Sequence, residues 1–136
     1  MNYFPKRSVI DMAKYNYHIK DFKKLIVWAK ARELAQDIYK IAAKFPNFET
    51  HAAKSQIIRS ATSIGANIAE GNGQLYPKKQ ISFLNNALGS ASETRHWLIV
   101  ALDNKYISKE EYDLCDGHLI EITKMLIGLI KNWIMS

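Results

Sequence analysis

The chain has 136 residues and a formal net charge of +6, with 48% hydrophobic residues, three prolines and six glycines. That length holds one domain with one core and excludes two; Lys or Arg interrupts every apolar run, which excludes a membrane span, and the basic start reads as no secretory leader because no continuous apolar region follows it. Cys115 is the single cysteine and cannot close an internal disulfide, so a small core residue in a reducing, cytoplasmic setting is expected.

Residues 1–20 read as a separate unit. Lys6, Arg7, Lys14 and Lys20 stand there against Asp11, half of the whole net charge, and Tyr3, Phe4, Tyr15 and Tyr17 are interleaved with them. A basic arm with aromatics suits RNA or single-stranded DNA; the plainer reading is a solvated, unstructured tail, and Met12 is an alternative start. Residues 21–136 are expected to form the folded domain, and the composition is that of an all-α protein.

The first helix is predicted from Val27 to Phe45. Trp28, Ala31, Ala35, Ile38, Ala42 and Phe45 recur at spacings of three and four, and Val27, Leu34 and Ile41 form a second line one heptad apart. Pro46 should end it, and Thr50 is the expected N-cap of the second helix. In that helix Ile57, Ala61, Ile64 and Ile68 make a core stripe, with Arg59, Ser63, Asn67 and Glu70 as a polar line beside it. Gly71 and Gly73 are expected to end it through positive φ.

The third helix should start after Pro77 and run to about Asn104. One stripe is Ile81, Leu84, Leu88, Ala91, Leu98 and Leu102; a second is Phe83, Ala87, Ser90, Thr94, Trp97 and Ala101, and Arg95 takes a heptad position that an apolar residue would fill. Ser108 and Glu111 form a capping box for the last helix. Tyr112, Cys115, Leu119, Ile122, Leu126, Leu129 and Trp133 keep heptad register there, and Met125, Ile127, Ile130 and Ile134 widen the apolar surface. Four helices with short connections imply an antiparallel up-down-up-down four-helix bundle. Paired apolar stripes exceed what one central seam requires, which points to surface buried between subunits.

Little in this pattern supports catalysis: there is no nucleophile with an obvious base, no glycine-rich loop opening a helix and no Cys/His cluster, so a non-enzyme without cofactor is expected. Glu93 and His96 have the spacing of a di-iron ligand pair, but His118 and Glu121 run in the reverse order and no second pair exists; no metal site is expected. Asn67, Glu70, Ser90 and Glu93 read as a polar network between the second and third helices, with Arg59 and Arg95 as partners for the carboxylates; the plainer reading leaves Glu70 and Glu93 in solvent. Lys23, Lys24, Lys30, Lys78 and Lys79, with Lys6 and Arg7 of the arm, are the candidate nucleic-acid contacts. Repeated around an oligomer, their fields sum on a polyanion.

The segments VWAKARELAQDIYK (Val27 to Lys40), SQIIRSATSIGANIAEGNG (Ser55 to Gly73), FLNNALGSASET (Phe83 to Thr94) and EITKMLIGLI (Glu121 to Ile130) resemble the 23S ribosomal RNA intervening-sequence proteins, over Phe22 to about Ile130. Members of that family commonly carry Gln after the first-helix Trp and Arg after the second glycine, where this chain has Ala29 and Gln74. Accessory proteins of diversity-generating retroelements are related to it. The resemblance implies the bundle, a homopentamer, a basic surface engaging RNA or DNA, and a reverse transcriptase or other nucleic-acid enzyme as partner. The competing expectation is a protein–protein interaction module that binds through apolar surface and uses its charge only for solubility.

Overall fold

A computed structural model describes residues 20–135, with side chains described up to Asn132; the arm with Lys6 and Arg7, and the side chains of Trp133 and Ile134, lie outside the described residues. Four helices form: α1 (Ile26–Ala42), α2 (Ala53–Asn72), α3 (Pro77–Asp103) and α4 (Lys109–Met135), with 3₁₀ turns at Phe22–Lys24 and Asn47–Glu49. No strand forms among the described residues. None of the described helices is long and apolar enough to cross a membrane.

The helices pack in a ring. α1 lies against α2 and α4, α3 lies against the same two, and the backbones of the diagonal pairs stay apart among the described residues; α2 against α3 is the most extensive contact. The α2 stripe of Ile57, Ala61, Ile64 and Ile68 is fully buried, as are Leu119, Ile122 and Leu126 of α4. Each such large side chain contributes about 1.5–3 kcal/mol relative to exposure. On α3 the buried line is Leu84, Ala87, Ala91, Thr94, Leu98 and Ala101. It runs between the two expected stripes and draws members from both, because a helix wedged between two neighbours buries the angle bisecting them.

Local expectations and geometry differ in three places. α1 ends at Ala42, its last α-helical bond running from Ala43 N–H to the Tyr39 carbonyl, and the chain then tightens, Lys44 N–H to the Ile41 carbonyl and Phe45 N–H to that of Ala42, since Pro46 disfavours helix at the residue before it. Thr50 closes the second 3₁₀ turn in helical conformation and caps nothing; α2 starts at Ala53, after Ala52, without a side-chain cap. No described glycine has positive φ. Gly71 lies inside α2, where an added Cβ would sit 3.0 Å from Phe83 Cβ and 3.2 Å from the Gln80 carbonyl oxygen. Its value is closeness to α3, with no need of left-handed freedom.

The positive φ belongs to Lys105, at 62°. Lys105 N–H bonds to the Leu102 carbonyl and Tyr106 N–H to that of Ala101, the paired bonds that end a helix with one left-handed residue. The capping box forms as expected: Ser108 N–H donates to Glu111 Oε1 and Glu111 N–H to Ser108 Oγ, both at 3.0 Å.

Lys105→Gly removes a Cβ from a left-handed position and should stabilise the fold by about 1 kcal/mol, raising the midpoint of thermal unfolding by about 3–5 °C in circular dichroism. Gly71→Ala should act oppositely and cost about 1–3 kcal/mol, because backbone and Phe83 Cβ stand where the methyl must go.

Candidate nucleic-acid interface

At one end of the molecule, the start of α1, the end of α2, the start of α3 and the end of α4 converge. Two depressions show it: one of about 150 Å³ lined by Lys20, Leu25, Gly71, Asn72, Gln80, Leu84 and Leu129, and one of about 460 Å³ between Lys24, Leu25, Ile26 and Val27 on one side and Met125, Gly128, Leu129 and Asn132 on the other. The turn carrying Lys23 and Lys24 is held by local chemistry. Lys23 N–H bonds to Asp21 Oδ1 at 3.0 Å, and the Phe22 ring meets Trp28 edge-on at 5.0 Å. Trp28 in turn packs beside Gly65, whose missing Cβ would lie 3.7 Å from the indole nitrogen.

Lys23, Lys24, Lys78 and Lys79 are all exposed at this end, and none of their ammonium groups is in an ion pair among the described residues. Exposed Lys131, near the end of α4, and Lys20, the last residue of the expected arm, at the smaller depression extend the basic end; Lys131 carries no signal in the sequence, since spacing along α4 says nothing of what its end adjoins. Lys30 stands apart. Its Nζ lies 2.7 Å from Glu121 Oε1 across the α1–α4 seam. The hydrogen bond and the charge of Glu121 raise the Lys30 pKa, and the same pair lowers that of Glu121.

The opposite end is mixed in sign. Lys44 pairs with Glu111, and the Tyr106 hydroxyl donates to Glu49 at 3.0 Å. Cys115 is buried near Lys44 and Glu111, and burial first, then the carboxylates of Asp37 and Glu111, push its thiol up to about 11. It stays protonated and unreactive at neutral pH.

The polar residues of α2 and α3 do meet, though not as one network. Ser63 Oγ and Ser90 Oγ are 2.6 Å apart, and buried Thr94 Oγ1 lies 2.9 Å from Ser60 Oγ and 2.8 Å from the Ser90 carbonyl oxygen. Arg59 pairs with Glu93, whose carboxylate also accepts from Trp97 Nε1 at 3.1 Å. Asn67 bonds locally, to the Ser63 carbonyl at 2.8 Å. Glu70 is exposed and outside this set of bonds. Arg95 reaches neither Glu70 nor Glu93; its Nε donates to Asp116 of α4 at 2.7 Å, because its position on α3 faces the other neighbour. Thr94, expected in the second stripe of the helix, and Ser60, which the spacing does not single out, form the buried centre, and Asp116 has no motif to mark it. No group of His, Cys, Asp and Glu that could hold a metal occurs among the described residues.

Against known proteins, residues 23–128 match the family of 23S rRNA-intervening sequence proteins. A protein of unknown function from the S23 ribosomal protein family of Bacteroides thetaiotaomicron, solved by crystallography at 1.70 Å, is 36% identical and superposes with a TM-score of 0.73. The alignment covers 78% of this chain and 99% of that one. No curated protein matches.

Desolvation opposes ionisation of Glu93, but the hydrogen bonds from Trp97 and Arg59 and the Arg59 charge prevail and hold its pKa below the ordinary 4.5. A carboxylate lowered by folding adds stability above its unfolded pKa, and that contribution is lost as the pH falls from about 4.5 through the folded value. Glu93→Gln should therefore flatten the acid limb of the urea midpoint plotted against pH below 4.5, while leaving its slope near neutrality unchanged.

Proposed function

The chain belongs to the 23S rRNA-intervening sequence protein family, and we propose that within it this protein is a non-enzymatic oligomeric scaffold that binds the backbone of RNA or DNA. The observation that carries the reading is the convergence of Lys23, Lys24, Lys78 and Lys79, exposed and without carboxylate partners among the described residues, on one end of the domain. Lysines from two chain segments about fifty residues apart gather there while Lys30 and Lys44 are consumed by ion pairs elsewhere. Phosphate is the chemistry that such unpaired ammonium groups favour, and contact of this kind falls with salt and is nearly blind to sequence.

In this proposal the helices run up-down-up-down, each antiparallel to the next, and the bundle assembles with itself, as a pentamer. Exposed Ile26, Leu114, Ile99, Ile120 and Ile127 support burial of further surface between copies. A ring of copies multiplies weak phosphate contacts into useful avidity, and such a particle, acting in the cytoplasm, suits the scaffolding of a reverse transcriptase or another nucleic-acid enzyme. One observation favours a second reading, a protein-binding module without nucleic acid: the groove of about 460 Å³ beside Ile26 is walled chiefly by apolar side chains.

Salt separates the two. With about four phosphates neutralised per subunit on a single strand, affinity should fall about 50-fold between 50 and 200 mM salt, read by fluorescence anisotropy. The combined variant Lys23→Glu, Lys24→Glu, Lys78→Glu and Lys79→Glu should lose most of the binding and of the salt slope while light scattering returns the same particle mass. Binding untouched by both changes would sink the basic-end reading and leave the protein-binding one.

A further inference from the structure

Between α2 and α3 the chain passes through Gly73, Gln74, Leu75 and Tyr76, and this loop is pinned at both ends and in its middle. Gly73 N–H bonds to the Ala69 carbonyl at 3.1 Å, Gln74 N–H to that of Gly71 at 3.2 Å, and the Tyr76 carbonyl accepts from Gln80 N–H at 3.0 Å. Tyr76 itself is extended, with φ −101° and ψ 133°, as Pro77 demands of the residue before it. The middle is held by Gln80, which is 3% exposed and whose Nε2 donates to the Gln74 carbonyl at 2.7 Å. Its Oε1 has no partner among the described residues. A leucine there would avoid that unsatisfied acceptor, so the bond to the loop is what the glutamine contributes.

What the pinned loop presents is apolar. Leu75 is 87% exposed, more than any other large hydrophobic residue among those described, and Tyr76 is 71% exposed. Lys78 and Lys79 follow within three residues, and Lys23 and Lys24 share this end; all four are exposed and outside ion pairs among the described residues. An apolar pair already held outward needs little further ordering when a partner arrives, and the charge around it selects a partner that is anionic and has flat apolar faces to offer. Single-stranded nucleic acid has both, in its phosphates and its unpaired bases; a duplex keeps its base faces inside the stack. An anionic lipid surface fits less well. Among the described residues the Leu75 and Tyr76 N–H groups donate to no protein acceptor, and hydrocarbon would strip their water without replacing it.

We infer that Tyr76 is a base-stacking platform that makes this end selective for unpaired strands. One base lies on the phenol ring, Leu75 covers the apolar surface beside it, and the flanking phosphates reach Lys78 and Lys79. The inference rests on the nucleic-acid reading above and deepens it, since backbone contact alone does not distinguish a strand with bases from one without.

The test is anisotropy of the full chain with labelled oligo-dT and with an abasic deoxyribose-phosphate strand of the same length, at one low salt concentration. Wild type should bind oligo-dT about tenfold more tightly than the abasic strand. Tyr76→Ala should bring oligo-dT down to the abasic level and leave abasic binding and the thermal midpoint where they were, whereas Tyr76→Trp should keep the preference, because indole stacks as phenol does. Equal, salt-sensitive binding of the two strands by wild type would overturn the platform and leave the backbone reading standing; no binding to either would overturn both. A preference retained by Tyr76→Ala would also overturn the platform. So would Tyr76-dependent sedimentation with phosphatidylglycerol vesicles in the absence of any base preference, in favour of a lipid surface.

Discussion

The close approach of α2 to α3 is the constraint on which the rest of the structure depends. Ser60, Ser63, Ser90 and Thr94 line that contact with short side chains whose hydroxyls find one another or a helix carbonyl, and Gly71 lets the Gln80 carbonyl and Phe83 stand where a side chain would otherwise be. Hydroxyl pairs are modest in energy, about 1 kcal/mol each, but they are directional. A leucine seam tolerates sliding, whereas a ladder of hydroxyls holds one register. That register puts Gln80 beside Gly71 and places Lys78 and Lys79 at the same end as the turn of Lys23 and Lys24.

Charge is distributed around this frame in two ways. Across the seams it is paired: Lys30 with Glu121 between α1 and α4, Arg59 with Glu93 between α2 and α3, Arg95 with Asp116 between α3 and α4. The first two pairs are largely exposed, and their value lies in choosing partners and geometry more than in stability; Asp116 is mostly covered. At the end where α3 begins, Lys23, Lys24, Lys78 and Lys79 gather without an ion pair to any described carboxylate, although separating them would relieve their repulsion. Such self-repulsion is tolerable when a polyanion relieves it, which links the electrostatic asymmetry to the proposed role. Gln80 adds a local conflict of the same sense, a buried acceptor at the site where the domain is most basic.

Most of the architecture was legible in the residues. Ile57, Ala61, Ile64 and Ile68 follow a period that any reader of helices finds, Ser108 and Glu111 spell their capping box, and Pro77 marks the start of α3. The site was only partly legible. Lys23, Lys24, Lys78 and Lys79 were visible as exposed lysines, yet Lys30 looked the same along the chain and is held by Glu121. Arg95 was visible as a charge in an apolar register, but its partner Asp116 lies on a helix that the register does not name. The glycines were read as terminators, since glycine after a helical run commonly takes positive φ; that conformation fell instead to Lys105.

What the sequence determined by itself is therefore the set of helices, the buried faces of α1, α2 and α4, and the capping box of α4, because these follow from periods and neighbours within a turn or two of chain. Only the tertiary structure decided which lysines are left unpaired, why Gly71 must be small, and that Gln80 closes a cavity it cannot satisfy. Those are relations between residues brought within a few ångströms by packing, and nothing local in the chain encodes the distance between them.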